Sequence, residues 1–185
     1  MRIIAGKYRG HSLAGLGKGD PAAALRPTTD RVRESLFNVL LSGRYGDPIS
    51  DCAVLDLFAG TGALGLEALS RGAAEVTFVE NGRVGQRLIR DNLRRLKAQA
   101  PILGQDATKL GPCPGRAAVL VFLDPPYGRD LGAKALAAAT AGGWIAPEAL
   151  IVWEESSPQT APEGFTLLDH RRYGDTHVTL LEAPA

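Results

Sequence analysis

The chain has 185 residues, of which 45% are hydrophobic and 22% charged, and its net charge is +1 at neutral pH. These values are typical of one globular α/β domain with a short extension. The two cysteines and three histidines are too few and too scattered to predict a disulfide framework or a metal centre. No apolar run approaches the roughly 18 residues of a membrane span, and the first residues lack the apolar core of a signal peptide. We therefore expect a cytoplasmic protein without a metal ion.

The first half of the chain alternates helical patterns with short apolar runs. A Gly-, Pro- and Ala-rich loop is predicted over 14–27, and a helix over 28–42 with Thr29 or Asp30 as its N-cap. Further along, the pattern predicts a strand over 53–58, a helix over about 62–71, a strand over 75–80, a helix over about 83–98 and a weak strand before Asp106.

The second half continues this alternation and then departs from it. A strand over 117–124, a helix over about 131–142 and a strand over 149–155 complete the alternating pattern, which is typical of a parallel sheet covered on both faces. The last two apolar runs are separated by the turn residues YGDT at 173–176. They predict a hairpin that adds antiparallel strands to the sheet.

A glycine-rich turn follows the strand predicted over 53–58. Gly60, Gly62 and Gly65 have the spacing G-x-G-x-x-G, which alone is typical of a dinucleotide-binding turn. Asp56, near the end of that strand, would repel a pyrophosphate and attract a cation, by about 1 kcal/mol or more. S-adenosylmethionine carries positive charge on its sulfonium and amino groups, so the turn fits it better than NAD. Glu80 suits the ribose hydroxyls of either ligand, and Gly65 is expected to serve close helix packing.

The motif Asp124-Pro125-Pro126-Tyr127 ends the next long apolar run. In a parallel sheet it emerges at the same edge as the glycine turn. The two prolines lack N–H donors, which leaves the carbonyl groups of Asp124 and Pro125 as acceptors for the hydrogens of an amine. Tyr127 can stack on a base taken out of its helix. The motif therefore indicates methylation of an exocyclic amine of a base.

These motifs together resemble those of the class I S-adenosylmethionine-dependent amino-methyltransferases. The N-terminal MRIIAGKYRG and the segment LRPTTDRVRESLFN at 25–38 resemble, more narrowly, the RsmD family of bacterial 16S rRNA guanine-N2 methyltransferases. The resemblance extends from residue 1 to about residue 130. It implies a Rossmann-like, mostly parallel seven-stranded sheet with a C-terminal antiparallel hairpin. We place a short N-terminal extension at 1–45 and the methyltransferase domain at 46–185.

The resemblance also implies a site, a substrate and a product. S-adenosylmethionine would be the methyl donor and S-adenosylhomocysteine the product, with a guanine of 16S rRNA as the acceptor in an assembled or assembling small ribosomal subunit. The enzyme is expected to act as a monomer. The implied cofactor-binding residues are Arg26, Thr28, Asp56, Phe58, Gly60, Gly62, Glu80, Asp106 and Asp124, and the implied catalytic residues are Asp124, Pro125 and Tyr127. Among them, Glu80 would bind the ribose, Asp106 the adenine, and Tyr127 the target base.

The N-terminal region has a local excess of positive charge. Residues 1–45 hold eight Lys or Arg against three Asp or Glu, a balance of +5. Lys7, Arg9 and Arg31 are therefore expected to contact RNA phosphates. A second basic row lies on the helix predicted over 83–98, which we interpret as the solvated face of that helix.

Three alternatives remain open from the sequence. An N6-adenine nucleic-acid methyltransferase and a protein glutamine methyltransferase use related Asp/Asn-Pro-Pro-Tyr turns, and a noncatalytic NAD-binding or RNA-binding module would share the fold. The basic N-terminal region argues against a protein substrate, and Asp124 in place of Asn does so more weakly. The sequence therefore favours an RNA guanine-N2 methyltransferase.

Overall fold

The computed structural model describes residues 1–15 and 29–185. Arg26, Thr28 and most of the loop predicted over 14–27 lie outside the described residues. The helices are α1 (Asp30–Leu40), α2 (Ala63–Ser70), α3 (Arg83–Leu96) and α4 (Leu131–Ala141), with a 3-10 turn at Ala107–Lys109. The strands are β1 (Ala53–Leu57), β2 (Glu75–Val79), β3 (Ile102–Leu103), β4 (Ala118–Leu123), β5 (Ile145–Glu155), β6 (Thr166–Tyr173) and β7 (Thr176–Glu182).

The strands form one sheet in the order β3-β2-β1-β4-β5-β7-β6. Strands β1 to β5 pair in parallel, whereas β7 pairs antiparallel with both β5 and β6. The predicted mostly parallel sheet with an antiparallel C-terminal hairpin is therefore confirmed. The chain order reverses at β1, which has β2 on one side and β4 on the other. In open sheets of this kind, ligands bind at the carboxyl ends of the strands beside such a reversal.

Helices cover both faces of the sheet. On one face, Leu66 of α2 and Ile89 of α3 belong to the same apolar cluster as Phe122 of β4, together with residues of α1. On the other face, Leu136 of α4 packs in a cluster with Trp153 of β5. Because each central strand is buried on both sides, its sequence is a continuous apolar run rather than an alternating one.

The register of the central strands aligns their carboxyl ends. Leu57 of β1 lies beside Val79 of β2 and Leu123 of β4, and Leu123 lies beside Trp153 of β5. The residues that follow these four positions therefore emerge in a row at one edge of the sheet: Phe58, Glu80, Asp124 and Glu154.

A buried carboxylate fastens the N-terminal segment to the helices. Glu67 of α2 accepts hydrogen bonds from the N–H groups of Ile4 at 2.8 Å and Ala5 at 3.0 Å. The same carboxylate forms an ion pair with Arg33 of α1 at 3.6 Å, and both side chains are 0% exposed. Each partner has a second ion pair, Glu67 with Arg71 at 2.8 Å and Arg33 with Asp30 at 3.0 Å, so the buried charges form a network. Glu67 therefore joins residues 1–15, α1 and α2 into one layer.

Two helix and strand boundaries illustrate local causes. Thr29 caps α1 as predicted, because its hydroxyl oxygen accepts from the Val32 N–H at 3.3 Å. Strand β5 begins at Ile145, four residues before the predicted start. Its first residues include Pro147, which lacks a donor, and Glu148, whose φ of 58° is left-handed. Because both features are unusual within a strand, the sequence pattern predicted a start that is too late.

In the described ranges, no helix is both long and apolar enough to cross a membrane. Over the same residues, no group of three or more His, Cys, Asp or Glu side chains is placed to hold a metal ion.

Candidate functional site

The glycine turn joins β1 to α2 through left-handed backbone. Phe58, Gly60 and Gly62 have φ angles of 58°, 56° and 77°. Glycine adopts this region freely, whereas for Phe58 it is strained by about 1–3 kcal/mol. The Gly62 N–H donates to the Ala59 carbonyl at 2.7 Å, which closes the turn. At Gly60 and Gly62 the turn thus presents backbone without side chains just before α2, where a ligand can approach closely.

Asp56 lies beneath this turn. The residue is 2% exposed, and its Oδ2 accepts a hydrogen bond from the Gly65 N–H at 2.9 Å. Burial raises the pKa of Asp56 to about 8, and the nearby charge of Glu80 adds to the rise. A Cβ on Gly65 would stand 2.4 Å from Cε1 of Phe78, so the predicted packing role of Gly65 is confirmed. Asp56 therefore supports the turn, and its role toward the methionine end of a cofactor stays a prediction.

Glu80 holds the turn from the neighbouring strand. Its Oε2 accepts the Gly60 N–H at 2.8 Å, and its Oε1 accepts the Gly82 N–H at 2.6 Å. A Cβ on Gly85 would stand 2.7 Å from Cγ of Glu80, so α3 packs against this side chain only because residue 85 is a glycine. An ionised carboxylate has about four acceptor sites, which leaves two for further donors such as hydroxyl groups.

Asp106 stands on the Glu80 side of the site, because β3 lies beyond β2 in the sheet. It caps the 3-10 turn at Ala107–Lys109, where its Oδ1 accepts from the N–H of Thr108 at 2.9 Å and from the Thr108 hydroxyl at 2.7 Å. These two bonds hold the pKa of Asp106 below its usual range. The carboxylate is therefore ionised and fixed in place.

Asp124 follows β4 on the other side of the glycine turn and belongs to a group of carboxyls. Burial raises its pKa well above the usual range, and the neighbouring carboxyls of Glu154, Asp56 and Glu155 raise it further. Both glutamates come from the end of β5 and are largely buried, at 6% and 7% exposure. Asp124 is thus a carboxyl with an increased affinity for a proton at the centre of the site.

Tyr127 is held over this group by its hydroxyl. The phenol donates to Oε1 of Glu154 at 3.1 Å and lies 3.5 Å from the hydroxyl of Thr176 in β7. Burial raises the pKa of Tyr127 above its usual value, so the phenol stays protonated and remains a donor. The next residue is also held, since the Gly128 N–H donates to Glu155 at 3.3 Å.

Among the predicted RNA-contacting residues, Lys7 has a backbone that is fixed by a hydrogen bond to the rest of the domain. The Lys7 N–H donates to the Ser70 carbonyl at 2.7 Å, at the end of α2 remote from the glycine turn. Eight residues of helix separate the two ends, about 12 Å. Lys7 Nζ stands 5.1 Å from the ring centre of Tyr8, and Arg9 and Arg31 are exposed. The structure therefore brings together Asp56, Glu80, Asp124 and Tyr127, whereas the backbone of Lys7 lies at the far end of α2.

Comparison with known proteins identifies the family. The model of the family described as Conserved hypothetical protein 95 matches residues 1–182. The chain belongs to this family. Proteins named Ribosomal RNA small subunit methyltransferase D from Escherichia coli strain K12 and from Haemophilus influenzae are 40% and 39% identical to it. The alignments cover 100% and 94% of the chain and 91% and 89% of those proteins, so the predicted resemblance is confirmed.

Solved structures agree with this assignment. One from Escherichia coli has a TM-score of 0.82 and 38% identity, and covers 100% of the chain and 98% of its own. One from Haemophilus influenzae has a TM-score of 0.76 and 35% identity, with the same coverage of 100% and 98%. They are described as a methyltransferase candidate and a methylase candidate. This member of the Conserved hypothetical protein 95 family therefore has the predicted class I methyltransferase fold and is an enzyme rather than a noncatalytic module.

The structure places three residues at the site that the sequence did not predict to lie there. Glu154 and Glu155 end the apolar run over 149–155, which forms β5. Because β5 pairs in parallel with β4, its last residues lie beside Asp124. That pairing was the signal that could have revealed them. Gly85 interrupts a helical pattern without a turn, which indicates close packing but does not name the partner.

Proposed function

We propose that the chain transfers a methyl group from S-adenosylmethionine to the exocyclic N2 of a guanine in small-subunit ribosomal RNA. The observation that carries the proposal is the row at the carboxyl ends of β1, β2 and β4, where Glu80 and the glycine turn stand beside Asp124 and Tyr127. A site for a nucleoside cofactor and a site for an amine then share one edge of the sheet. The names of the relatives from Escherichia coli and Haemophilus influenzae support ribosomal RNA as the substrate.

The residues on the β2 side fit the cofactor. Glu80 has acceptor sites left for ribose hydroxyls, and no side chain at Gly60 or Gly62 obstructs the turn. Asp106 is an ionised acceptor of the kind an adenine amino group needs. S-adenosylmethionine, when bound, supplies a methyl group on a positively charged sulfur. Phe58 and Asp56 would line the methionine end, and Arg26 and Thr28 would hold its carboxylate.

Asp124 and the proline turn would orient the amine. The lone pair of a guanine N2 is delocalised into the base, so it becomes nucleophilic only when the amine hydrogens are held away from the base plane. The Asp124 carboxyl and the Pro125 carbonyl are acceptors for those two hydrogens. The nitrogen gains the methyl and loses one proton, S-adenosylhomocysteine is the leaving group, and the ionised carboxylate of Asp124 would take that proton. Positioning of the amine beside the methyl group would supply most of the remaining rate acceleration.

Tyr127 and the N-terminal region would bind the RNA. The Tyr127 ring would stack on the flipped guanine, while Lys7, Arg9 and Arg31 would contact phosphates farther from the reaction. On this proposal residues 1–45 serve as an RNA-binding extension of the domain at 46–185. On this proposal the chain acts as a monomer on a small subunit in the cytoplasm.

The experiment is methyl transfer to small ribosomal subunits isolated from bacteria that lack the modification. Labelled S-adenosylmethionine is added with the purified chain, the RNA is digested, and the nucleosides are separated. We expect label in N2-methylguanosine. Label in N6-methyladenosine would overturn the choice of base, and label in protein glutamine would overturn the choice of RNA. Calorimetric titration with S-adenosylhomocysteine and with NAD tests the cofactor separately, because only the former is expected to bind.

A further inference from the structure

Helix α3 presents a row of positive charges to solvent. Residues 83–97 contain six basic side chains and one acidic one, Asp91, a balance of +5. All six basic residues are exposed, and we call them the α3 row: Arg83, Arg87, Arg90, Arg94, Arg95 and Lys97. Among the described residues, only Arg94 of this row forms an ion pair, with Asp91 at 3.0 Å, and its side chain is still 77% exposed. Little of this charge is therefore neutralised by the described chain.

The α3 row is more than the polar side of an amphipathic helix. Arg83 and Arg87, and Arg90 and Arg94, are four residues apart, and like charges at this spacing destabilise a helix by about 0.2–0.5 kcal/mol per pair. A face that only needed solvation could alternate acidic and basic residues, which stabilises the helix instead. The chain thus keeps an arrangement that is unfavourable for the helix and favourable for a polyanion.

A buried amide joins α3 both to the N-terminal segment and to the glycine turn. Asn92, which is 0% exposed, accepts the Ala14 N–H at 2.6 Å and donates to the Ala14 carbonyl at 3.2 Å. It also donates to the Thr61 carbonyl in the glycine turn at 3.1 Å. The α3 row and the basic N-terminal segment therefore belong to one layer of the molecule.

The length of α3 gives this layer its reach. The helix begins at Arg83, three residues after Glu80, and its 14 residues extend about 20 Å toward the opposite edge of the sheet. A strand of RNA whose target base enters the site at Tyr127 has flanking nucleotides that must run along the surface. The α3 row offers them guanidinium groups over this distance, and guanidinium binds phosphate through paired hydrogen bonds.

We propose that the α3 row binds the sugar-phosphate backbone of the RNA that flanks the target nucleotide. The inference rests on the proposed function for its substrate, and it adds a second basic surface to the one formed by Lys7, Arg9 and Arg31. Contacts to phosphates position the RNA and do not read its sequence. The surface therefore determines affinity, and the choice of base stays with the site at Asp124.

The experiment compares two double variants with equal loss of charge. Arg87→Gln/Arg94→Gln changes the α3 row, and Arg116→Gln/Lys134→Gln removes two exposed cations outside it. Binding of a fluorescein-labelled RNA hairpin copied from the small-subunit RNA is measured by anisotropy at several salt concentrations. We expect the slope of log affinity against log salt to decrease by about 1–2 for the α3 variant and to stay unchanged for the control. Arg87→Lys/Arg94→Lys, which keeps the charge, should keep most of the slope.

Three further readouts separate the possible failures. S-adenosylhomocysteine affinity should be unchanged in every variant, and this result would also show that each variant folds. If the double variant does not fold, the single variant Arg87→Glu provides a second test. Equal slopes for the α3 and control variants would overturn the proposal. Normal hairpin binding with impaired methylation of whole subunits would overturn it in favour of an acidic protein partner. Absence of methyl transfer by the unaltered chain would instead overturn the proposed function, whatever the slopes.

Discussion

The phenol of Tyr127 donates a hydrogen bond to Oε1 of Glu154 at 3.1 Å. Tyr127 belongs to the loop after β4 and Glu154 to the end of β5, so this bond fixes the ring of a loop residue to the rigid sheet. The bond thus orients the ring. A base that stacks on it would not have to order it, which lowers the entropic cost of capture.

Tyr127→Phe should therefore weaken capture of the target nucleotide even though the ring remains. A lost hydrogen bond to a charged group is worth about 1.5–3 kcal/mol at most, and we expect an increase of KM for RNA with kcat nearly unchanged. Tyr127→Ala should cost about 1–3 kcal/mol more, because stacking is lost too. Glu154→Gln keeps an acceptor oxygen and serves as the control. Equal KM values for Tyr127→Phe and the unaltered enzyme would show that Glu154 does not position the ring.

Asp124→Ala should nearly abolish methyl transfer. Removal of a group that stabilises the reacting atoms lowers kcat by about 100-fold or more in comparable cases, and under the proposed function the amine also loses its proton acceptor. S-adenosylhomocysteine affinity should stay within a few fold, as measured by calorimetry. Asp124→Asn retains an acceptor oxygen but cannot take a proton, so its rate should fall between the rates of Asp124→Ala and of the unaltered enzyme. A fully active Asp124→Ala variant would remove this residue from the mechanism.

The sequence alone predicted the strands and helices around the site but not the contacts that orient it. Glu80 and Asp124 were predictable because each ends an apolar run, and parallel strands end at one edge. Glu154 also ends such a run, yet two acidic residues after a strand are as typical of a solvated turn. Its partnership with Tyr127 depends on the pairing of β4 with β5, which periodicity does not specify. The packing of Gly85 on Glu80 is likewise a tertiary contact.

Glu80→Ala should weaken S-adenosylhomocysteine binding about tenfold or more, the effect of losing a pair of charge-assisted hydrogen bonds. The variant should also unfold more easily, because the N–H groups of Gly60 and Gly82 lose their acceptor. Gly85→Ala adds a second test, since its Cβ would stand 2.7 Å from Cγ of Glu80 and 2.8 Å from the Gly60 carbonyl oxygen and would displace the carboxylate and the glycine turn without removing either. Calorimetric affinities unchanged in both variants would contradict the cofactor assignment.

Asp56→Asn should change the pH dependence of stability. Because burial raises the pKa of Asp56 from its ordinary value of 3.8 to about 8, the folded state binds more protons than the unfolded state between these two pH values. The free energy of unfolding should therefore fall as pH rises through this window, by at most about 1.4 kcal/mol per pH unit.

Asparagine can still accept the Gly65 N–H and does not ionise, so urea unfolding of Asp56→Asn from pH 5 to pH 8, a range set by this window, should show a flatter profile. The slope that remains belongs largely to Asp124, whose pKa is also raised. A profile as steep as that of the unaltered chain would contradict an elevated pKa at Asp56.

The triple variant Lys7→Ala/Arg9→Ala/Arg31→Ala tests the N-terminal region. Each of these cations is exposed, and if each neutralises one phosphate the slope of log affinity against log salt should decrease by about 2–3. Lys7 lies at the end of α2 remote from the glycine turn, so S-adenosylhomocysteine binding should hardly change. The single-turnover rate at saturating RNA should also be unchanged, because the proposed function assigns orientation of the amine to Asp124 and the proline turn. The salt series and the single-turnover rate are measured beside the Arg116→Gln/Lys134→Gln control, with slopes compared per charge removed. An unaltered slope would mean that this region is only solvated surface, and the binding of RNA would then have to come from the α3 row.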